Sequence, residues 1–390
     1  MKKVSCLLLS LLLFCGCGNQ KSYHFDDGLF AENTPVYDAV MGVYTEQSFI
    51  TDTYTSPVIH RLDDTIIGRC EVLFADGNTL YLCQQDDTGF AVGAYAMDQK
   101  RFVSIFSDRD FTAAGMYTAG LRVSGISALI SDRYLIFSVS EGDDEDILCS
   151  FDMTQKRLHI IHRSVMGLVE ATGQKVYFIA FQNSVQTLMV YDPVVGKPDV
   201  VVADSCIGLT KIEGQIYYAL TKEVKQHGEY MYYDLNGKRY DAADSPGRIL
   251  RCSGGIMVSD VVLSADCFSE AISSFPPKYQ ILQQSSSGLA VAFAGEIKPL
   301  ILPAGSSVLK NADTDGRFVV MDMEGDYLPR YYDANLNRMV IVGQLTGHDF
   351  TYRSFLTDSY IFIAAQSAIT DGGGNTTYTR QVFAISKNTI

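Results

Sequence analysis

An acidic segment at residues 141–146, EGDDED, holds the densest group of side chains that could do chemistry. Five of its six residues are carboxylates and Ca²⁺ prefers clustered oxygen ligands, so Asp143, Asp144 and Asp146 are candidate binding residues. The segment lacks the alternating D-x-D-x-D spacing of a calcium loop, and a solvated acidic hairpin loop is the alternative. We therefore predict no cofactor, with Ca²⁺ at this loop as the one exception.

Two other segments offer groups that could contact a ligand. Residues 264–287 form a long insert that contains FPPKY, whose Phe275 and Tyr279 could serve in a lid or a docking arm; the alternative is an insert with no task. Asp371 opens the sequence DGGGN, a flexible tip without the preceding strand and following helix that a phosphate loop needs. Phe275, Tyr279 and Asp371 are candidate binding residues on these grounds.

The sequence contains no catalytic motif. It has neither a G-x-S-x-G elbow nor an H-E-x-x-H helix. Ser307 and Lys310 match S-x-x-K, but they fall on a predicted strand, where residues three apart point to opposite faces. We assign no catalytic residue and favour a protein that is not an enzyme, with a catalytic site assembled from distant segments as the alternative.

The cysteines form no metal or redox motif. None of the six that follow Cys17 belongs to a C-x-x-C pair, so zinc and thioredoxin-like chemistry have no support. If Asp76-Gly77 is a two-residue hairpin turn, directly opposite residues sum to 153, which places Cys70 opposite Cys83. A cross-strand disulfide could form there in an exported protein; two buried free thiols are the alternative.

The composition limits the classes of partner. Hydrophobic residues make up 47% of the 390 and charged residues 19%, which is enough apolar material for a large core. The formal charge is −14, and loss of a leader containing Lys2 and Lys3 makes it −14 − 2 = −16. Nucleic-acid binding needs a concentrated basic surface, and the sequence has no basic run, so nucleic acid is excluded as a partner.

The N-terminus has the features of an export leader. Lys2 and Lys3 precede an apolar run from Val4 to Phe14, which is too short to cross a bilayer as a helix. The following residues, FCGC at 14–17, resemble the lipobox of bacterial lipoprotein signals. The resemblance implies cleavage after residue 16 and lipid attachment at Cys17, and hence a membrane-tethered protein of the bacterial cell envelope. An ordinary secretory signal cut near Gly16 is the alternative.

A repeat organises the rest of the chain. Residues 168–244 twice repeat a pattern of strand, tight turn, strand, loop, strand ending in Tyr-Asp, turn and strand. Tight turns of this kind fall at positions 77, 132, 173, 214, 255, 316 and 358, at intervals of 55, 41, 41, 41, 61 and 42. A period near 41 is what one four-stranded blade of a β-propeller requires.

A second marker recurs where each third strand ends. An aspartate stands there in five repeats, at Asp98, Asp152, Asp192, Asp234 and Asp333. A carboxylate at the start of a turn accepts hydrogen bonds from backbone amides two residues on, so we assign these residues to turn formation in preference to catalysis. The aromatic residues before them are expected to pack between neighbouring repeats.

These markers predict an all-β chain with a single β-propeller domain at residues 56–390, after a signal peptide at 1–16 and a tether with an N-terminal segment at 17–55. Seven turns predict seven four-stranded blades. The last repeat is one strand short, and the strand SPVIHRL at 56–62 has no other partner, so we predict that it pairs in the last blade and closes the ring.

The long segments of the repeat are predicted to share one face. Strand order places loops between second and third strands, and loops between blades, on the face opposite the short turns. All the long segments belong to these two classes, at residues 108–125, 141–146, 222–229, 264–287 and 366–379. Loops on a rigid frame carry most recognition, so this long-loop face is the predicted binding surface.

Across residues 56–390 the repeats resemble bacterial propellers of the TolB and YncE kind, within the WD-repeat-like folds. The chain has no Trp, so the blade-docking Trp and the Trp-Asp ending of related repeats are absent, and a quinone cofactor loses support. The leading hypothesis is a membrane-anchored binding module for a protein, peptide or glycan. The alternative is a lyase or hydrolase with its site at the channel mouth. Carboxylates or arginines that converge in a channel would favour this alternative.

Overall fold

The computed structural model is all-β, with two short α-helices among the residues that it describes, and the strands follow the predicted repeat. The residues that the structure describes are 59–62, 67–86, 89–116, 118, 120–141, 146–227, 230–240, 248–259, 280–285, 288–293, 296–301, 309–323, 329–335, 338–341, 351–370, 372, 374 and 376–390. The strands form six hydrogen-bonded sheets, here called A to F in chain order.

Sheets A and B make up the first half of the chain. The N-terminal strand β1 (Ile59–Arg61) precedes sheet A, which consists of β2 (Glu71–Asp76), β3 (Thr79–Asp86), β4 (Gly89–Ala96) and β5 (Arg101–Ser107). Helix α1 (Asp108–Ala113) follows. Sheet B consists of β6 (Leu121–Ile130), β7 (Tyr134–Glu141), β8 (Asp146–Asp152), β9 (Arg157–Thr172), β10 (Lys175–Gln182), β11 (Val185–Asp192) and β12 (Lys197–Val202).

Sheets C and D follow. Sheet C consists of β13 (Cys206–Ile212), β14 (Gln215–Leu220), β15 (Tyr232–Asp234) and β16 (Arg239–Tyr240), with helix α2 (Thr221–His227) between β14 and β15. Sheet D consists of β17 (Ile249–Ser253), β18 (Ile256–Ser259), β19 (Gln280–Ser285), β20 (Gly288–Phe293) and β21 (Glu296–Ile301).

Sheets E and F complete the chain. Sheet E consists of β22 (Leu309–Thr314), β23 (Phe318–Met323), β24 (Arg330–Asp333) and β25 (Arg338–Ile341). Sheet F consists of β26 (Thr351–Leu356), β27 (Tyr360–Thr370), β28 (Thr376–Ser386) and the N-terminal strand β1. Strand β1 pairs antiparallel with β28, with Ile59 opposite Ile385. The predicted pairing of the N-terminal strand in the last sheet is therefore present.

The predicted turn chemistry is present at four of the five aspartates, whereas Asp98 accepts a hydrogen bond from the Gln99 amide, one residue on, at 2.9 Å. The Asp152 carboxylate accepts hydrogen bonds from the Thr154 amide at 2.9 Å and from the Gln155 amide at 3.0 Å. Asp192, Asp234 and Asp333 accept from amides two residues on in the same way. The aromatic residues before these aspartates are buried where the repeats meet: Phe151, Tyr191 and Tyr332 are at most 2% exposed. These aspartates therefore serve the turns.

Each sheet packs against the next. Apolar clusters join sheet A to B through Phe106 and Phe137, whose ring centroids are 4.5 Å apart, and further clusters join B to C and C to D. Sheets D and E contact at the Gly254 and Gly316 turns, and the Asp322 carboxylate of sheet E accepts a hydrogen bond from the Ser354 amide of sheet F. Sheet F in turn packs against sheet A in one apolar cluster. This succession of sheets has the organisation of a β-propeller.

Two sheets depart from the predicted four-stranded blade. Sheet B has seven strands because the sixteen-residue strand β9 pairs on both sides. The first part of β9 pairs with β8, and its last part pairs with β10. Sheet D has five strands, and β18 pairs parallel with β19. A parallel pair needs a connection of a dozen or more residues, and β18 and β19 are 20 residues apart in the sequence. The prediction of a four-stranded blade is therefore wrong for this repeat.

Helices occupy parts of two segments that were predicted to be long loops. Helix α1 begins in the segment 108–125, where Ser107 accepts from the Arg109 amide and Asp110 accepts from the Ser107 amide, which is a capping box. Its Phe111 is fully buried against the cluster between sheets A and B. Helix α2 lies in the segment 222–229. Two of the five segments predicted to be long loops are therefore helical in part.

The predicted register for the cysteines is wrong. The first hairpin turns at Gly77-Asn78, and a bulge between Val72 and Phe74 shifts the register again, so that Cys83 faces Glu71. Cys70 and Cys83 are buried and are not joined in a disulfide, which is the alternative that the sequence left open. Burial, together with Glu71 and Cys70 and against the opposing effect of Arg380, raises the pKa of the Cys83 thiol to about 12, so this thiol is unreactive at neutral pH.

Candidate functional site

A cavity of about 290 Å³ is lined mainly by residues of the first strands of several sheets. Five of the six sheets contribute to its wall. Its polar and charged lining residues are Ser124, Ser127, Ser138, Asp146, Arg251, Asn311, Asp313, Arg353 and Ser354. Phe74 and Phe355 supply aromatic surface. We call this the channel cavity.

An ion pair crosses the wall of the channel cavity. Nη1 of Arg251, on β17, lies 2.7 Å from Oε1 of Glu170, on β9. The Arg251 side chain is 42% exposed and the Glu170 side chain 12%. The pair joins sheets B and D past the intervening sheet C, where the Lys211 ammonium group donates to the Ala171 carbonyl at 3.0 Å. Charges from three successive sheets therefore meet on this side of the channel.

Asp313 adds a carboxylate to the same group of charges. It lies on β22, next to Arg251 in the cavity lining, and its Oδ1 accepts a hydrogen bond from the Thr314 amide at 2.9 Å. Burial raises the pKa of this carboxyl and Glu170 raises it further, while Arg251 and Lys211 oppose the shift. A carboxyl with a raised pKa beside an arginine can accept or donate a proton.

Asp146 is the predicted binding residue that the structure places in the channel cavity. It begins β8, and its Oδ1 accepts a hydrogen bond from the Ser124 hydroxyl group at 3.0 Å. The other residues singled out from the sequence for binding or lipid attachment lie outside the described residues: Cys17, Asp143, Asp144, Phe275, Tyr279 and Asp371. Their roles stay predictions.

A second cavity, of about 190 Å³, lies between sheets F and A. Arg353 lines both this cavity and the channel cavity, and its guanidinium group lies over the Phe355 ring, 5.0 Å from the centroid. Arg380 lines the second cavity from β28, and its Nε donates to Oε1 of Gln366 at 2.9 Å. We call this the side cavity.

A buried carboxylate lies behind Arg353. Asp322, on β23, is 9% exposed and accepts a hydrogen bond from the Ser354 amide at 2.9 Å. Burial raises its pKa to about 6, opposed by that hydrogen bond and, more weakly, by Asn311 and Arg353. Asp322 is therefore a titratable group behind the channel wall that changes charge near neutral pH.

The charged residues of the channel were not identified from the sequence, although the repeat contains a signal for them. The signal is a position on the first strand of the repeat, two residues before the last residue that pairs across the tight turn. In five repeats this position is occupied by Phe74, Glu170, Arg251, Asp313 and Phe355. All except Glu170 line the channel cavity, and Glu170 is paired with Arg251. Aligning the repeats on their turns would have placed them on the channel.

Metal and membrane features are limited to what the described residues contain. Within them, no three His, Cys, Asp or Glu side chains converge to hold a metal ion. Residues 142–145 lie outside this set, so Ca²⁺ at the acidic segment stays a prediction. None of the helices in the described part of the chain has the length and apolar content needed to cross a bilayer.

The fold and the cavity define a β-propeller with a polar central channel. No protein-family model matches the chain, and no curated protein matches it. The propeller domain of the trilobed protease from Pyrococcus furiosus is similar with a TM-score of 0.47 and 9% identity, over 80% of this chain and 92% of that one. An oligogalacturonate lyase in complex with manganese is similar with a TM-score of 0.45 and 12% identity, over 87% and 96%.

TolB from Acinetobacter baumannii is similar with a TM-score of 0.36 and 12% identity, over 80% of this chain and 64% of that one. All three TM-scores are below 0.5 and all three identities are far below 25%. The similarities therefore carry no inference about what this chain binds or does.

Proposed function

We propose that this chain is a membrane-anchored, extracytoplasmic β-propeller that binds a small polar part of a peptide or glycan in its channel. The observation that carries the proposal is the channel cavity, where charged, hydroxyl and aromatic side chains from five sheets face one space of about 290 Å³. Ligand sites are concave and combine apolar surface with a few fixed polar groups, which this lining provides.

The lining favours recognition of a small polar group over a broad protein contact. Arg251 and Asp313 present charges of both signs, and Phe74 and Phe355 present aromatic surface. The volume is near the lower end of the range of small-molecule sites, roughly 300–1,000 Å³, so it fits one or two residues of a larger ligand. The remainder of the ligand would lie on the long-loop face.

The architecture in this proposal has seven blades. Sheet B counts as two blades that share β9, because its strand order is two four-stranded meanders joined through that strand. With sheets A, C, D, E and F the total is seven. Pairing of β1 with β28 closes the ring in the last blade. Closure removes the free edge strand that otherwise pairs with other chains.

The anchoring part of the proposal depends on Cys17. The basic start, the apolar run and the sequence FCGC support lipid attachment there. We expect the mature protein to be in the membrane fraction and to carry the mass of a diacylglyceryl group. If a Cys17→Ser variant stays in the membrane fraction with unchanged mass, the anchor is not at Cys17.

The binding function is tested with the mature protein on peptide and glycan arrays. We expect a defined set of ligands, and we expect Asp313→Asn and Phe355→Leu to weaken their binding. Asp199→Asn is the matched control, because Asp199 is exposed on the outer strand β12 and lies outside the channel lining. Equal binding by all three variants would show that the ligand does not enter the channel.

A lyase or hydrolase is the second candidate, favoured by Asp313. Burial raises the pKa of this carboxyl, and Arg251 and Asp146 line the same cavity. A carboxyl with a raised pKa is suited to general acid or base catalysis. Array ligands incubated with the protein would then be cleaved, with a rate that changes near the raised pKa and is lost in Asp313→Asn. Intact ligands after prolonged incubation would leave binding alone.

A further inference from the structure

We infer that the side cavity is a subsite for a single carboxylate group, held by Arg353 and Arg380. The inference deepens the proposed function and rests on it, because Arg353 lines both cavities and places the subsite next to the channel. The ligand class is a monocarboxylic acid with a small apolar substituent.

Both guanidinium groups have donors to offer. Arg380 uses Nε for Gln366, which fixes the side chain and leaves its two terminal nitrogens without a hydrogen-bond partner among the described residues. Arg353 rests on the Phe355 ring and forms no salt bridge with any residue that the structure describes. A planar guanidinium group binds a carboxylate through two parallel hydrogen bonds.

The charges around the side cavity match a monoanion. The ionisable side chains in its lining are Arg353, Arg380 and Glu71, together with the thiol of Cys70 and the phenol of Tyr352, which are neutral at pH 7. Two arginines and one glutamate give a formal charge of +2 − 1 = +1. Asp322 lies behind the wall and its carboxylate is held by the Ser354 amide, so it weakens the field of Arg353 without facing the cavity. A phosphate dianion would meet Glu71 with too little positive charge to offset it.

The aliphatic part of the wall accounts for the apolar substituent. Val72, Ala364, Ala365 and Val382 line the side cavity together with the uncharged polar residues Thr351, Gln366 and Gln381. The volume of about 190 Å³ is small enough that a carboxylate and one short side chain fill it. The C-terminal residue of a peptide and a small free acid share this chemistry, and the choice of probes separates the carboxylate from the rest of the molecule.

The test is calorimetric titration of the mature protein at low ionic strength with three probes. N-acetylalanine carries the carboxylate and a methyl group, N-acetylalanine amide is its neutral counterpart, and inorganic phosphate is the competing anion. We expect the acid to bind at least about tenfold more tightly than either other probe, since a charge-assisted hydrogen bond contributes more than the ~1.4 kcal/mol that corresponds to tenfold. Equal binding of the amide, tighter binding of phosphate or no binding of the acid would overturn the inference.

Variants link the binding to the two arginines. Arg380→Gln and Arg353→Gln should each weaken binding of the acid by about tenfold or more. Arg101→Gln, on the exposed outer strand β5, is the control and should bind like the wild type. Arg380→Lys keeps the positive charge at this position. Normal circular dichroism shows that this variant is folded before its binding of the acid is measured. Unchanged affinity in Arg353→Gln and Arg380→Gln would remove both residues from the subsite.

The outcome is separable from that of the proposed function. Array ligands that bind in the wild type and in both arginine variants would leave the channel as a binding site and remove the carboxylate subsite. Binding of N-acetylalanine without any array ligand would have the opposite meaning: the subsite holds an acid, and the peptide or glycan function fails.

Discussion

Arg251 and Glu170 are 81 residues apart in the chain and form an ion pair of 2.7 Å across the channel wall. The two residues belong to sheets D and B, which are not neighbours in the succession of sheets. Sheet C lies between them, so the pair depends on the curvature of the ring as well as on each sheet. The geometry of this pair is therefore a probe of the assembled channel.

We predict that Arg251→Met lowers the free energy of unfolding by about 1–2 kcal/mol, because it leaves Glu170 with most of its surface removed from water and no ion-pair partner. The expected loss of free energy of unfolding is smaller than for a fully buried ion pair because the Arg251 side chain is 42% exposed. Urea unfolding measures the change. The double variant Arg251→Met with Glu170→Gln should recover part of the loss.

The control for this prediction is the pair of Lys222 and Asp204, which has the same 2.7 Å separation but exposed side chains, 54% and 49%. Lys222→Met should change the free energy of unfolding by less than about 0.5–1 kcal/mol, as exposed pairs do. An equal loss in both variants would mean that burial at the channel wall does not strengthen the Arg251 pair.

We predict that Gly254→Ala is more destabilising than Gly173→Ala. Both glycines are in tight turns with nearly the same positive φ, +55° and +57°, so the backbone strain of alanine, about 1 kcal/mol, is common to both. A Cβ at Gly254 would lie 2.4 Å from the Gly316 Cα in the next sheet, whereas one at Gly173 meets nothing within 4 Å.

This overlap between sheets D and E should cost a further ~1–3 kcal/mol in Gly254→Ala. Urea unfolding of the two variants measures the difference directly. Equal destabilisation would show that the Gly254 and Gly316 turns can move apart at little cost.

Asp322 predicts a dependence of stability on pH. Its pKa is about 6 in the folded protein and near 3.8 in the unfolded chain, so the folded state binds more protons between these values. The contribution of Asp322 is therefore fully present below the unfolded value and is lost as the pH rises through about 6. The free energy of unfolding of the wild type should fall relative to Asp322→Asn over this window and run parallel to it at higher pH.

In the same urea titrations, the comparison of the wild type with Asp152→Asn should show the opposite dependence of the free energy of unfolding on pH. A hydrogen bond from Arg133 lowers the pKa of Asp152 to about 2, so its contribution is present above 3.8 and is lost as the pH falls towards 2. Two difference curves of the same sign would contradict the assignment of at least one of these shifts.

We predict that Leu62→Pro loosens the N-terminal strand. The Leu62 amide donates to the Val382 carbonyl at 2.9 Å, directly after β1, and proline has no amide hydrogen. Amides of residues 382–385 that face β1 should exchange with deuterium faster, and the exposed edge of β28 should promote association. Amides of β11, in sheet B, are the internal control and should be unaffected.

Local features were predicted well where the chemistry is short-range. The carboxylates of Asp192, Asp234 and Asp333 form the expected turns because the groups that they bind are two residues away. The pairing of the N-terminal strand with the last sheet was predicted at long range because the last repeat was one strand short and this strand had no other partner. A count of strands was enough in that case.

Other features could not be predicted because they depend on shifts that leave no pattern. The bulge between Val72 and Phe74 changes which residue faces Cys83. Such a bulge adds one residue to one strand without a distinctive composition. In the same way, the length of the insert between β18 and β19 permits their parallel pairing but does not require it.

The sequence by itself determined that the chain is built from repeated antiparallel strands, since alternation, tight turns and turn aspartates act over a few residues. Only the tertiary structure decided that Arg251 meets Glu170 and that Arg353 stands between two cavities. These relationships join strands that are far apart in the chain. They arise when successive sheets pack around one axis, and that curvature is a property of the whole ring of contacts.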